Sequence, residues 1–336
     1  MAASCGDGQN TRPSKGVSRI LLKLESNLAE RNFYEAHQIY KTLSYRLSNQ
    51  KKYDEAIDLL YSGSCRLLQS QQIESGADLA MSLLDVIGKL DNDKRAGHIH
   101  KLTTIHELIP PDGQERQLFI CKAIKQTKTS SHTAGSPELH GAVANTLWKE
   151  KRHSEARYHF LYSADGENCG RFLIELHHSS GSNPHEVDLF ITQMVLQLLC
   201  LKNASTASVT FYAYVDNHPD VVKGPPYLLP LLNFLCFLLS AVNEGKLAVF
   251  TILCEKYNFS LSRDPLYKAY LDKIGQNFFG LPPPKNSGGL FSGLLNSLFS
   301  GLDESEDLPY SVSQDAPSTS GISAQSPRIL ASSDLD

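Results

Sequence analysis

Two histidine-dense stretches and one cysteine are the side chains in this sequence best suited to chemistry. "HIHKLTTIH" carries His98, His100 and His106, and "HHSSGSNPH" carries His177, His178 and His185. A zinc site on a helix needs ligands one turn apart with a closing cysteine or acid, and neither group has that spacing. Solvated or capping histidines are therefore expected, and no metal. Cys169 lies near His177, but no orienting third residue or Gly-rich elbow accompanies the pair, so a structural thiol is expected. The phosphate-binding pattern G-x-x-x-x-G-K-[ST] and the dinucleotide fingerprint are both missing, and the glycines of 288–301 sit in low-complexity sequence. These patterns predict no catalytic residue and no cofactor, hence a protein that is not an enzyme.

Composition narrows the class further. The 336 residues are 41% hydrophobic and 20% charged, ordinary for a soluble chain long enough to bury a large core. A formal net charge of -4 supplies no field favouring nucleic acid, and no basic stripe compensates locally. Seven cysteines, an odd number without a C-x-x-C pair, several of them inside apolar helical stretches, point to a reducing compartment, cytosol or nucleus. The first residues lack the apolar centre of a secretory signal and read as a disordered leader, 1–16. The most apolar run, "YLLPLLNFLCFLLSAV" at 227–242, is shorter than a span of about 20 residues and is broken by Pro230 and Asn233. It predicts a buried helix, with no direct membrane insertion.

The elements that would position any site are helices. Asp112 with Glu115, Ser136 before Pro137, Asn183 before Pro184 with Glu186, and Asp264 before Pro265 all have the form of helix starts. Between such marks the periodicity predicts helices near 17–30, 32–48, 51–71, 73–90, 93–107, 113–127, 137–149, 152–164, 167–179, 185–201, 203–217, 226–243, 245–258 and 264–279. "ASVTFYAYV" at 207–215 is rich in strand formers, yet its length and flanks favour helix. In "YKTLSYRLSNQKKYDEAIDLLYSG" the tetratricopeptide pattern places Tyr40, Leu43 and Leu47 on one helix and Tyr53, Ala56, Leu60 and Gly63 on the next. A second stretch fits with Val143, Leu147, Ala156 and Phe160. A two-helix unit cannot bury its own apolar face and must lie against the next. The expected fold is all-α, an α-solenoid of stacked antiparallel helix hairpins with degenerate tetratricopeptide-like repeats, over 17–280. A plain helical bundle is the alternative.

After Gly280 the composition changes. "LPPPKNSGG" breaks the helix, and 303–336 holds seven acids and one base among Ser, Pro, Gln and Gly. The segment 281–336 reads as a disordered acidic Ser/Pro-rich tail. Inside it, "GLFSGLLNSLFSGL" at 289–302 would place its Leu and Phe residues on one stripe of a short amphipathic helix.

Two surfaces are candidates for partner binding. The helices expected at 226–243 and 245–258 carry more apolar side chains than one solenoid interior readily covers, so some should line a groove for an amphipathic helix or extended peptide. Leu228, Leu231, Phe234, Phe237, Phe250 and Leu253 are the candidates there. At the other end, Arg19, Lys23, Arg46, Lys51 and Lys52, interleaved with acids, could form a mixed-charge docking face.

At "YEAHQIYKTLSYR", "TLWKEKRHSEARYHFLYSADGE", "LQLLCLKNASTASV", "LLNFLCFLLSAVNEGKLAVFTILCEKY" and "RDPLYKAYLDKIGQNFFG" the sequence resembles the Golgi-to-ER traffic protein 4 family. Members are the small cytosolic scaffold subunit of the machinery that handles tail-anchored membrane proteins. The resemblance implies a helical solenoid and a non-enzymatic adaptor in tail-anchored protein delivery and quality control. One end would face the targeting ATPase. The other would hold a ubiquitin-like protein and, in animals, the C-terminal region of a BAG-family chaperone scaffold. A helical-repeat scaffold of another cytosolic assembly, proteasome-lid-like or signalosome-like, is the alternative.

Overall fold

The computed structural model describes residues 15–181 and 186–282, with side chains from residue 19 onward. The leader, the 289–302 segment, the acidic tail and the Asn183–Pro184 helix start lie outside the described residues. Among those described, every regular element is a helix. The first eight are α1 (Lys15–Ala29), α2 (Phe33–Asn49), α3 (Tyr53–Gln69), α4 (Ile73–Ile87), α5 (Asn92–Ala96), α6 (Ile99–Leu108), α7 (Gln114–Thr127) and α8 (Pro137–Lys149). They continue as α9 (His153–Tyr162), α10 (Gly166–Ser179), α11 (Val187–Cys200), α12 (Ala204–Asn217), α13 (Pro230–Glu244), α14 (Leu247–Lys256), α15 (Asn258–Leu261) and α16 (Leu266–Phe279).

One turn recurs through the chain. Arg31, Lys51, Gln71, Lys151 and Lys202 all adopt a left-handed backbone, with φ between 58° and 63°. Each sits in the middle of a three-residue linker, and the next amide reaches back five residues to a helix carbonyl. Examples are Asn32 N–H to Asn27 C=O at 2.7 Å and Lys52 N–H to Leu47 C=O at 3.0 Å. This is the Schellman closure, which satisfies carbonyls orphaned at a helix end. Glycine fills the same place at Gly245, φ 66°, where Lys246 N–H bonds Ala241 C=O. Because the first three turns fall at 31, 51 and 71, a helix with its linker takes twenty residues and a hairpin forty.

That spacing is legible in the long-range bonds. Arg66 on α3 holds Glu25 on α1, Lys41 and His37 on α2 hold Asp78 on α4, and Arg157 on α9 donates to Gln197 on α11. Partners lie 37 to 41 residues apart, so each of these helices binds the next but one, as stacked hairpins require. The tetratricopeptide-like registers hold in space. Ala56 and Ala156 are fully buried, and Gly63 lets the ring of Tyr40 approach so closely that an added Cβ would lie 2.7 Å from it.

Differences from the expected elements are local. Ser136 caps α8 as expected, accepting Leu139 N–H with Pro137 in the first turn. Asp112 does not cap α7, whose N-cap is Gly113. The helix expected over 93–107 divides at Gly97 and His98, because Arg95 folds back to donate to the carbonyls of Leu90, Gly88 and Gln126. The "ASVTFYAYV" stretch is helical, as α12.

Candidate functional site

The C-terminal surface is built on α13 and α14. α13 starts at Pro230, whose ring fixes φ and whose missing N–H costs nothing in a first turn. The start expected at 226 is therefore corrected, and Leu228 lies in the preceding loop, 81% exposed. Asn233 ties that loop down, accepting Tyr227 N–H at 2.8 Å and donating to Tyr227 C=O at 2.6 Å. Leu231 and Phe234 are wholly interior, with Phe234 against Tyr257. Phe250 is also covered, stacked on Phe279 at 4.7 Å because α16 folds back over it. Leu253 is buried too, at the floor of the surface. Of the six apolar candidates, only Leu228 and Phe237 face out.

The surface itself is a shallow depression of about 240 Å³ lined by Phe237, Ser240, Ala241, Glu244, Lys246, Val249 and Leu253. Glu244 and Lys246 pair beside it. α14, "LAVFTILCEK", is apolar on nearly every side but buries only Phe250 and Leu253. Its outer side presents Leu247, Val249 and Ile252 to solvent, Ile252 at 55%. Phe259 on α15 is exposed beyond it. Val249 and Ile252 belonged to the apolar excess seen in the sequence, but periodicity alone could not tell which side of α14 the core would take.

The N-terminal end is cationic, and the structure supplies the reason. Three of the interleaved acids are paired with bases, Glu25 with Arg66, Asp58 with Lys101 and Glu55 with Lys52, while Glu30 accepts from Ser26 and Asn32. Arg19, Lys23, Arg46 and Lys51 are exposed and have no ion-pair partner among the described residues. Lys52 is spent on Glu55 at 2.8 Å. Because α1 and α2 are antiparallel, Arg19 at the start of α1 lies at the same end of the hairpin as Arg46 and Lys51. Exposed Leu22 and Tyr45 lie on the same helices as these cations, an apolar component that the charge pattern did not register.

The chemical candidates are dispersed or inert. His98 approaches Asp54 at 3.9 Å, His100 is exposed, and His106 is buried against Arg116. Burial pushes the Cys169 thiol up to about 12, so it is no nucleophile. His185 lies outside the described residues. His177 and His178 are joined by His218 and Asp220, both distant in sequence. Among the described residues no helix is long and apolar enough to cross a membrane.

These features define an all-α solenoid, a row of helix hairpins with an exposed apolar surface near one end and an exposed cationic surface at the other. A family model described as Golgi to ER traffic protein 4 matches residues 50–299, and the chain belongs to that family. It is 47% identical over 300 residues to the Golgi to ER traffic protein 4 homolog of Oryzias latipes, covering 89% of this chain and 92% of that one. Against the Homo sapiens homolog it is 46% identical over 304 residues, covering 90% and 92%. The crystal structure of C. therm. Get4 aligns with a TM-score of 0.70 at 27% identity, over 88% of this chain and all of that one.

Proposed function

We propose that this chain is a non-enzymatic adaptor of Golgi-to-ER traffic, acting in the cytosol in the post-translational delivery of tail-anchored membrane proteins to the endoplasmic reticulum. The C-terminal surface holds a ubiquitin-like protein and the C-terminal region of a BAG-family chaperone scaffold, and the N-terminal cationic face meets the targeting ATPase. The observation that carries this reading is the outward apolar side of α14. Leu247, Val249 and Ile252 stand exposed on α14, Val249 beside Phe237 in the depression, where a partner helix could cover them with residues at i, i+3 and i+4. Family membership supports the pathway, and the cations left over when neighbouring acids pair support an acidic partner at the other end.

The test uses purified full-length chain and each partner separately. Val249→Asp and Ile252→Asp should leave melting unchanged, since both side chains already meet water, and should weaken the ubiquitin-like protein or the BAG-family scaffold at least about tenfold, roughly 1.4 kcal/mol. Lys23→Glu and Arg46→Glu should slow ATPase association and remove its salt dependence. Unchanged affinity for every partner in all four variants would refute the assignment. Purification from cytosol that returns lid-type or signalosome-type subunits instead would favour the scaffold of another assembly.

A further inference from the structure

Where α10 and α12 end side by side, three imidazoles and a carboxylate converge. Donor atoms of His177, His178, His218 and Asp220 all lie within 4.8 Å of one another. His177 belongs to the last turn of α10 and His218 is the C-cap of α12, 41 residues later. The ring pairs 177–178, 177–218 and 178–218 have centroids 5.4, 5.1 and 5.2 Å apart.

We infer that this cluster is a binding site for a divalent transition metal of the zinc type, riveting α10 to α12. The central observation is a distance. His218 Nε2 and His177 Nδ1 lie 3.2 Å apart. Two nitrogens on one tetrahedral zinc, with bonds of 2.0–2.1 Å, lie about 3.3–3.4 Å apart. The two buried rings thus already stand at the edge length of a zinc tetrahedron. His178 and Asp220 are exposed, so rotamer changes can bring their donors in, and they leave a path from solvent.

The surroundings suit a metal better than packing alone. Behind the cluster the edge of Phe190 meets the His177 ring at 5.3 Å, and Tyr214 meets His218 at 5.0 Å. The Tyr214 hydroxyl, donating to Val187 C=O at 2.7 Å, fixes that wall. His177 Nε2 is buried without a hydrogen-bond partner among the described residues; its proton sits there whether Nδ1 accepts from His218 or ligates a metal, so loading asks for no change of tautomer in this ring. Without metal, His218 Nδ1 accepts the Asp220 amide at 3.1 Å, so its proton sits on Nε2 and points to His177. Ligation through Nε2 moves that proton to Nδ1 and releases the Asp220 amide. No net proton is lost from the ring, and the exposed turn after His218 must rearrange.

The experiment titrates the full chain with Zn²⁺ by calorimetry and with Co²⁺ by visible absorption, then repeats both with His178→Ala and Asp220→Ala. The expected result is one saturable site of micromolar or better affinity with the intense absorption of tetrahedral Co²⁺. Both exposed-ligand variants should fold normally and bind at least tenfold more weakly. Zinc should raise the melting temperature of the parent chain and not of the variants, and the Asp220 amide resonance should shift on loading. Absence of saturable binding in the parent would overturn the site. So would binding that is undiminished in both variants, which would place the metal elsewhere, or a Co²⁺ spectrum that stays octahedral.

Discussion

Mild acid should destabilise this protein through the buried histidines of its middle helices. His106 and His140 are almost wholly buried. Their bonds require the neutral ring. Arg116 Nε–H donates to His106 Nε2 at 3.3 Å, while Arg116 Nη1 holds Glu150 at 2.8 Å. His140 Nε2–H donates to Ala134 C=O at 3.1 Å, and its Nδ1 accepts from His159 Nδ1 at 3.0 Å. Burial, reinforced by the charge of Arg116, lowers His106 to about 3. Burial lowers His140 to about 4. The unfolded chain titrates near 6.5, so below that pH it binds protons that the folded state refuses. Their contribution is intact above pH 6.5 and is lost progressively as pH falls toward 4 and 3. By pH 5 each site has lost about 1.5 pH units at about 1.36 kcal/mol per unit, about 2 kcal/mol each and about 4 together. His159, driven far down by burial, and His98 add in the same direction. Asp188 opposes them, since burial raises its carboxyl despite Arg263. Asp78 and Glu175, held below the ordinary carboxylate range by their hydrogen-bonded partners, lose their contribution only at lower pH. Against a total stability of about 5–15 kcal/mol, a loss of about 4 is large. Urea unfolding at intervals from pH 7.5 to 4.5 measures it, and a neutral His140→Gln should flatten the slope by about half. A free energy level down to pH 5, falling only where carboxylates titrate, would refute the assignment to buried histidines.

Other perturbations have equally definite signs. Gly63→Ala drives a methyl into the buried Tyr40 ring and should cost about 1–3 kcal/mol by thermal or urea unfolding, with no change in secondary structure by circular dichroism. The recurrent turn gives a paired test. Lys51→Gly should stabilise by about 0.5 kcal/mol or more and Gly245→Ala destabilise by about 1 kcal/mol, because only glycine adopts the left-handed backbone without a Cβ penalty. Arg263→Ala leaves the buried Asp188 carboxylate without its 2.7 Å partner and should cost about 3 kcal/mol, part of which Asp188→Asn in the same chain should restore.

Local chemistry was enough to place most helices. Ser136 and Pro137 wrote the start of α8 into the chain, and the Tyr40, Ala56 and Gly63 pattern set the register of one helix hairpin, because capping and helical periodicity act within a few residues. The turns at Arg31, Lys51 and Gln71 were not legible, since a left-handed backbone on a charged or amide residue has no side-chain signature; stacking of the flanking helices imposes it. The binding surfaces were legible only as compositions. Both helices at the C-terminal end were apolar in sequence. Which side would face water was decided by α16, which folds back to cover Phe250 with Phe279 and leaves Val249 and Ile252 outside. The bases near the N-terminus looked balanced by acids until Arg66 and Lys101 arrived from later helices to take Glu25 and Asp58. His177 and His178 lacked a ligand one turn away along their own helix, and His218 reached them from the next helix but one, 41 residues on. Periodicity fixes which residues share a face of one helix, whereas the partner of that face is set by the hairpin repeat, a distance no local pattern encodes.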